Sequence, residues 1–65
     1  MIEDIAVNEH TRRTVIHYTL EDFSAVCVIN PDGSIAAHLL YVNPASAATR
    51  YNLELNRLHP AGGGR

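Results

Sequence analysis

The 65-residue chain has no lysine, glutamine or tryptophan, and it contains one cysteine, one methionine and one phenylalanine. Cys27 cannot close an internal disulfide, and it supplies a single thiol where a zinc site needs several ligands. We therefore expect a protein of a reducing compartment, the cytoplasm. No apolar run approaches the ~20 residues of a membrane-spanning helix, and the acidic residues 1–4 are unlike a signal peptide, so we expect no membrane partner.

Charge is also scarce, and its sign limits the function. Five arginines stand against seven acidic residues, which gives a net charge of −2 and argues against direct nucleic-acid binding. The apolar fraction of 46% is ordinary for a folded protein, but a chain this short builds only a thin core. We predict one small α+β domain over residues 1–59, followed by a flexible, glycine-rich tail over residues 60–65.

The strongest local pattern is a β-hairpin turn at Asn30-Pro31-Asp32-Gly33. Proline presets the backbone for a type I turn, and glycine supplies the left-handed residue that closes a three-residue hairpin loop. This turn pairs Asn30 with Ser34 and predicts a hairpin over residues 24–42. Residues 34–42 also fit an amphipathic helix, and the preceding turn favours the strand.

Counting outward from the turn assigns the side chains of the hairpin to two faces, because strand side chains alternate. One face is expected to be the core, and it carries Phe23, Ala25, Cys27, Ile29, Ile35, Ala37, Leu39 and Tyr41. The other face is half apolar, and it carries Ser24, Val26, Val28, Ala36, His38 and Leu40.

Two further strands and one helix complete the prediction. Residues 2–8 and 13–20 have the alternating, β-branched pattern of strands. Residues 44–58 have apolar side chains at helical spacing, and they follow Asn43 as N-cap and Pro44 as first helical residue. The predicted fold is a four-stranded antiparallel meander packed on one C-terminal helix, ββββα.

Four histidines and Cys27 are the candidate groups for metal binding or catalysis. The predicted register places His17 and His38 on one face, on either side of Val26, and places Cys27 in the core on the other. Apart from Asp4 no third convergent ligand is visible, and two such histidines are more typical of a surface than of a metal site. The glycines form no phosphate-binding loop, and the carboxylates converge on no cleft. We therefore expect no catalytic residue, no metal and no cofactor.

Two surfaces are candidates for binding a partner. The second sheet face would leave an apolar patch exposed, for a protein partner or for a second copy in a homodimer. On the helix, Arg50, Leu53 and Arg57 form an outward row, which indicates either a contact patch or a solvated face with Glu54 near both arginines. The predicted partner-binding residues are Val15, His17, Val26, Val28, His38, Leu40, Arg50, Leu53 and Arg57.

Small size, mild acidity and the lack of a catalytic motif are shared with small phage- or plasmid-encoded inhibitors, anti-CRISPR proteins among them. This is a likeness of kind and rests on no motif. We therefore expect a non-enzymatic inhibitor that occludes a functional or nucleic-acid-binding surface of a protein partner. One mode would be mimicry of nucleic acid by an acidic surface, formed by Glu3, Asp4, Glu9, Glu21, Asp22 and Asp32.

The alternative function is a small dimeric transcriptional regulator or antitoxin that contacts DNA. Its phosphate contacts would come from Arg12, Arg13, Arg50 and Arg57. The net negative charge argues against this alternative.

Overall fold

The structure is a computed structural model, and it describes residues 1–59. The predicted tail over residues 60–65 lies outside the described residues. The predicted ββββα fold is confirmed: one antiparallel sheet with strand order β1-β2-β3-β4 is followed by a single C-terminal helix.

The strands and the helix have the following bounds. Strand β1 spans Ile2–Val7, and β2 spans Thr14–Thr19. Strand β3 spans Ser24–Ile29, β4 spans Ile35–Tyr41, and helix α1 spans Pro44–Leu55. The helical alternative for residues 34–42 is therefore wrong, because the turn before β4 returns the chain along β3.

The predicted hairpin turn between β3 and β4 is present. Asn30 N donates to Ser34 O at 2.7 Å, and Gly33 N donates to Asn30 O at 2.9 Å. Gly33 has φ of +92°, the left-handed conformation for which glycine is suited. The Asp32 carboxylate accepts a hydrogen bond from Ser34 N at 2.9 Å, and this contact within the loop stabilises the turn.

One residue beyond the turn, the register departs from the prediction. Ile29 pairs with Ile35 as expected, but Val28 pairs with Ala37 and Cys27 pairs with His38. Ala36 is thus the extra residue of a β-bulge, and the later residues of β4 change partners across β3: Ala37 and Leu39 share a face with Val28 and Val26 and not, as predicted, with Cys27.

The helix covers the sheet face that we expected to be exposed. Val15, Val26 and Val28 are at most 2% exposed, and they form the core cluster with Ala47 and Tyr51 of the helix. The bulge turns the β4 residues Ala37, Leu39 and Tyr41 toward this same side.

The predicted partner surface formed by Val15, His17, Val26 and Val28 is therefore wrong. These four residues are buried beneath the helix, with His17 at 7% exposure. The sequence pattern was apolar on both faces of the sheet, and the helix packs on the face that carries three valines. His38 and Leu40 remain exposed because the bulge turns them away from the helix.

The helix begins where predicted and ends earlier. The side chain of Asn43 accepts from Ala45 N at 2.8 Å, and Pro44 occupies the first turn. The helix ends at Leu55, three residues before the predicted end at residue 58. Asn56 follows as the C-cap, and its Nδ2 donates to Asn52 O at 2.7 Å.

Asn8, in the turn between β1 and β2, binds the end of the helix to the sheet. Its side-chain Nδ2 donates to the main-chain oxygens of Glu54 and Arg57. Its Oδ1 accepts from the main-chain nitrogens of His10 and Thr11. Asn8 is 1% exposed, so one buried amide joins a loop to one carbonyl in the last turn of the helix and to one carbonyl just beyond it.

Candidate protein-binding surface

The sheet face opposite the helix is the candidate functional surface, and we call it the open sheet face. Three residues of each strand alternate onto this face in the observed register. They are Ile2, Ile5 and Val7 of β1, Thr14, Ile16 and Tyr18 of β2, Ala25, Cys27 and Ile29 of β3, and Ile35, His38 and Leu40 of β4.

The open sheet face is apolar and carries no carboxylate and no arginine. Its outer strands are the most exposed, with Ile5 and Leu40 each at 57% and Ile35 at 64%. The inner strands hold Ile16, Cys27 and Ile29, which are half-buried by their neighbours. A soluble monomer seldom leaves a contiguous apolar surface of this kind in contact with water.

A side-chain bridge crosses the middle of this face. The hydroxyl of Tyr18 on β2 forms a hydrogen bond with His38 Nε2 on β4, across the intervening strand β3. The two rings are stacked, with centroids 6.0 Å apart and an interplanar angle of 20°. Ala25 pairs with Tyr18, and it is fully buried although it faces away from the helix. Its small side chain leaves room for the tyrosine ring.

Cys27 lies on the open sheet face, next to this bridge. It pairs with Ile16 on one side and with His38 on the other, and its thiol is free and half-buried. The prediction that Cys27 is a core residue under the helix is therefore wrong. The same is true of Ile29 and Phe23, which also lack cover from the helix, and Phe23 is 45% exposed.

His17 and His38 do not lie side by side, because the bulge at Ala36 puts them on opposite faces. His17 is buried under the helix, with Nδ1 3.5 Å from the Asp4 carboxylate and its ring centroid 6.1 Å from that of Tyr51. Burial raises the pKa of the Tyr51 hydroxyl, and the charge of Asp4 raises it further. Within residues 1–59, no three metal-ligating side chains come together.

The arginines of the helix are engaged with a buried carboxylate. Glu54 is 6% exposed, and it receives hydrogen bonds from Arg50 Nη1 at 3.2 Å and from Arg57 Nε at 2.6 Å. Arg50 Nε also donates to the Tyr41 hydroxyl at 3.0 Å. The sequence suggested that Glu54 lies near both Arg50 and Arg57, and this proximity is confirmed. Leu53 is 46% exposed beside them.

Burial by itself would raise the pKa of Glu54. The hydrogen bonds and positive charges of Arg57 and Arg50 act in the opposite direction and prevail, so the pKa lies below the ordinary value. Glu54 is therefore ionised in the folded protein at neutral pH, and its charge is matched by two arginines. Sequence spacing alone placed these three residues within reach, but it did not show that the carboxylate is buried.

The acidic residues are distributed over both ends of the sheet. Glu9 and Asp32 lie in the turns at one end, and Glu21 and Asp22 lie in the turn at the other. Glu3 and Asp4 lie on β1, where Glu3 accepts from the Thr19 hydroxyl at 2.9 Å. Because the carboxylates form no continuous line, nucleic-acid mimicry stays a prediction of the sequence alone.

The arginines of the DNA-binding alternative are likewise separated. Arg12 and Arg13 lie in the turn after β1, and Arg13 Nε donates to Asn30 Oδ1 at 2.8 Å. Arg50 and Arg57 are on and beyond the helix, paired with Glu54. The alternative of a transcriptional regulator therefore stays a prediction.

No helix within residues 1–59 is long and apolar enough to cross a membrane. Comparison of the chain with protein-family models, with curated proteins and with solved structures finds no match.

Proposed function

We propose that this chain is a non-enzymatic protein-binding protein and that the open sheet face is its binding surface. The observation that carries the proposal is the position of the helix. It covers one face of a sheet that is apolar on both sides, and the described residues leave the other face to the solvent.

The exposed apolar side chains supply the free energy for binding. Full burial of a Leu or Ile side chain contributes about 1.5–3 kcal/mol, and Ile5, Ile35 and Leu40 are each more than half exposed. Covering these three side chains would thus recover roughly half of that value for each. Part of the gain is offset by the loss of translational and rotational freedom on association.

The chemistry of the face is that of an interface core. Such cores are depleted in charged residues and enriched in aromatic residues. On the open sheet face, Tyr18 of the inner strand β2 and His38 of the edge strand β4 meet above β3, and their hydrogen bond and stacking hold both rings in a defined position. A rigid aromatic side chain loses less conformational entropy on binding than a flexible one.

A protein of this size that binds through one flat face can act by occlusion. We propose that it covers a functional or nucleic-acid-binding surface of its partner, in the manner of phage- or plasmid-encoded inhibitors of the anti-CRISPR kind. This finer statement rests on the likeness of size, charge and composition described for the sequence. The open sheet face supports protein binding.

The test compares two leucines that lie on opposite sides of the molecule. Leu40→Glu places a charge on the open sheet face, and Leu53→Glu places the same charge on the exposed side of the helix. Each tagged variant and the unmodified chain are immobilised and incubated with bacterial lysate, and the retained proteins are identified by mass spectrometry. We expect a retained protein that Leu40→Glu loses and Leu53→Glu keeps.

A binding partner that all three proteins retain equally would overturn the open sheet face as the binding surface. A lack of any retained protein at about 10 μM bait would contradict the proposal, because interfaces of this kind usually bind more tightly than that. Circular dichroism of the three proteins shows that the comparison is made between folded chains.

A further inference from the structure

We propose that the occupant of the open sheet face in the isolated protein is a second copy of the same chain. The inference rests on the proposed function, since it uses the same surface, and it names the partner. Two copies would stack their sheets face to face about a twofold axis, and a target protein would have to compete with the second copy.

Charge is the first argument for a second copy. A twofold interface brings the same patch of both chains together, so any charge on it would meet its own image. All the carboxylates and arginines of residues 1–59 lie off the open sheet face, although the chain as a whole has a net charge of −2. This face can therefore approach its own copy without bringing like charges into contact.

The thin core is the second argument. The buried cluster consists of Val15, Val26, Val28, Ala47 and Tyr51, which is little for a domain without a disulfide or a metal in its described part. Stacking a second sheet over Ile16, Cys27 and Ile29 would give β2 and β3 apolar contacts on both sides. A copy of the chain is the one partner that is present wherever the chain is made.

The size of the face is the third argument. Four strands about 4.8 Å apart and six residues at about 3.3 Å each give a footprint of roughly 400 Å² per copy. Two footprints project to roughly 800 Å², and side chains that stand above the sheet add to the accessible area, which approaches the ~1,000 Å² where specific interfaces begin. Stacked sheets pack about 10 Å apart, with side chains from both faces interdigitated.

The single thiol is a built-in reporter of this interface. Cys27 lies on an inner strand of the open sheet face, between Ile16 and His38, and it is the only cysteine in the chain. A second copy would cover it, and dilution would expose it. Its rate of alkylation by iodoacetamide should therefore fall as the protein concentration rises, without any label or substitution.

The experiment measures molar mass by sedimentation equilibrium between about 1 and 200 μM, a range that spans weak and moderate interfaces. Cys27 alkylation is followed over the same concentrations. We expect twice the 7.1 kDa of the single chain at the upper end, with slow alkylation there. Leu40→Glu should weaken the association at least about tenfold, because the change enters a twofold interface twice, and Leu53→Glu should leave it unchanged.

A 7.1 kDa species at every concentration would overturn the second copy as the occupant, and so would a dimer that Leu53→Glu dissociates and Leu40→Glu does not. If Leu40→Glu does not fold, Ile35→Glu replaces it, since Ile35 is exposed on the same face. If the protein is a monomer at every concentration but Leu40→Glu abolishes retention of a lysate protein, this inference is refuted and the proposed function stands. If Leu40→Glu dissociates a dimer but does not change which lysate proteins are retained, this inference stands and binding of a target protein through the open sheet face is refuted.

Discussion

Arg57 Nε donates to Glu54 Oε1 at 2.6 Å, and this contact fixes the chain just beyond the helix against a carboxylate that is 6% exposed. Arg50 binds the same carboxylate from the preceding turn and also the hydroxyl of Tyr41 on β4. The helix is thus joined to the sheet by a charged network beside the small apolar core. Removing one partner from a buried pair costs more than the pair itself contributes, because the other charge is left unmatched.

The first prediction concerns acid stability. The pKa of Glu54 is lower in the folded protein than in the unfolded chain, so the unfolded chain binds the proton first as the pH falls. Glu54 therefore stabilises the fold fully at neutral pH, and its contribution is lost as the pH falls below the ordinary value of 4.5 toward the folded pKa. We expect Glu54→Gln to lower the free energy of unfolding by about 1–2 kcal/mol at pH 7.

The measurement is urea unfolding of both proteins at intervals from pH 7 to pH 3. The difference between them should shrink as the pH falls, since the wild-type carboxylate becomes protonated. Glu21→Gln makes the same chemical change at an exposed turn residue, and it controls for the altered net charge. A difference between wild type and Glu54→Gln that does not change with pH would contradict the assignment.

The second prediction tests the buried amide of Asn8. Its Nδ2 lies 2.7 Å from Glu54 O and 3.0 Å from Arg57 O, and both contacts need a donor. Asn8→Asp keeps the shape and the two bonds that Oδ1 accepts, but it turns a carboxylate oxygen toward two carbonyl oxygens. We expect a loss of about 3 kcal/mol or more at pH 7, measured by urea unfolding.

The pH dependence of this variant gives the control. A carboxyl group placed against carbonyls has a raised folded pKa, and its protonated form can donate again. Relative to wild type, Asn8→Asp should therefore recover stability as the pH falls below about 5. Equal losses for Asn8→Asp and Asn8→Ala at all pH values would show that the donor function is unimportant.

The third prediction concerns His17, which is buried on the helix side of β2. Neither of its ring nitrogens has a hydrogen-bond partner within the described residues, although Asp4 lies 3.5 Å from Nδ1. A buried polar atom without a partner costs about 1–3 kcal/mol. We expect His17→Leu, which has a similar volume, to raise the free energy of unfolding by about 1 kcal/mol at pH 7.

The measurement is thermal and urea unfolding of His17→Leu, Asp4→Asn and the double variant. If Asp4 contributes only through His17, the two substitutions will not be additive. A loss of stability in His17→Leu would mean that the contact with Asp4, or an ordered water, stabilises the ring more than an apolar side chain would.

The element order and the turn between β3 and β4 could be predicted from the sequence because they depend on local chemistry. Proline and glycine in the turn, and Asn43 with Pro44 at the helix start, each act within a few residues. The end of the helix was placed three residues too far. There the chain is directed by Asn8, which lies 46 residues from Glu54 along the sequence.

The sequence could not predict which face of the sheet the helix covers, and the uncovered face is the candidate binding surface. The strands β2 and β3 carry apolar residues on both sides, so alternation alone names two possible cores. The decisive residue is Ala36, an alanine after a well-formed turn, and nothing in its local sequence specifies a bulge. Ala37, Leu39 and Tyr41 face the helix as predicted. In β2 and β3, by contrast, the residues that face the helix are those predicted to face away from it.

The last prediction tests the bulge itself. In the observed register, Ala36 is the residue that lets Ile35 face Ile29 while Ala37 faces Val28. Its deletion leaves a regular ladder after the turn, in which Ala37 still pairs with Val28 and every following side chain of β4 keeps its side. Tyr41 therefore keeps its contact with Arg50, and Leu40 stays on the open sheet face. We expect the deletion to change the free energy of unfolding by less than about 1 kcal/mol, because it removes one exposed, unpaired residue and repacks no core side chain.

The matched control is Ala36→Ser, which keeps the extra residue and changes only an exposed side chain. We expect it to alter the free energy of unfolding by less than about 0.5 kcal/mol. Alkylation of Cys27 supplies a second measurement, since the thiol lies beside His38 only while β4 keeps its present register, and we expect the deletion to leave the alkylation rate unchanged. A loss of about 3 kcal/mol or more in the deletion variant, or a changed alkylation rate, would contradict the bulge at Ala36, because β4 would then have lost its register with β3.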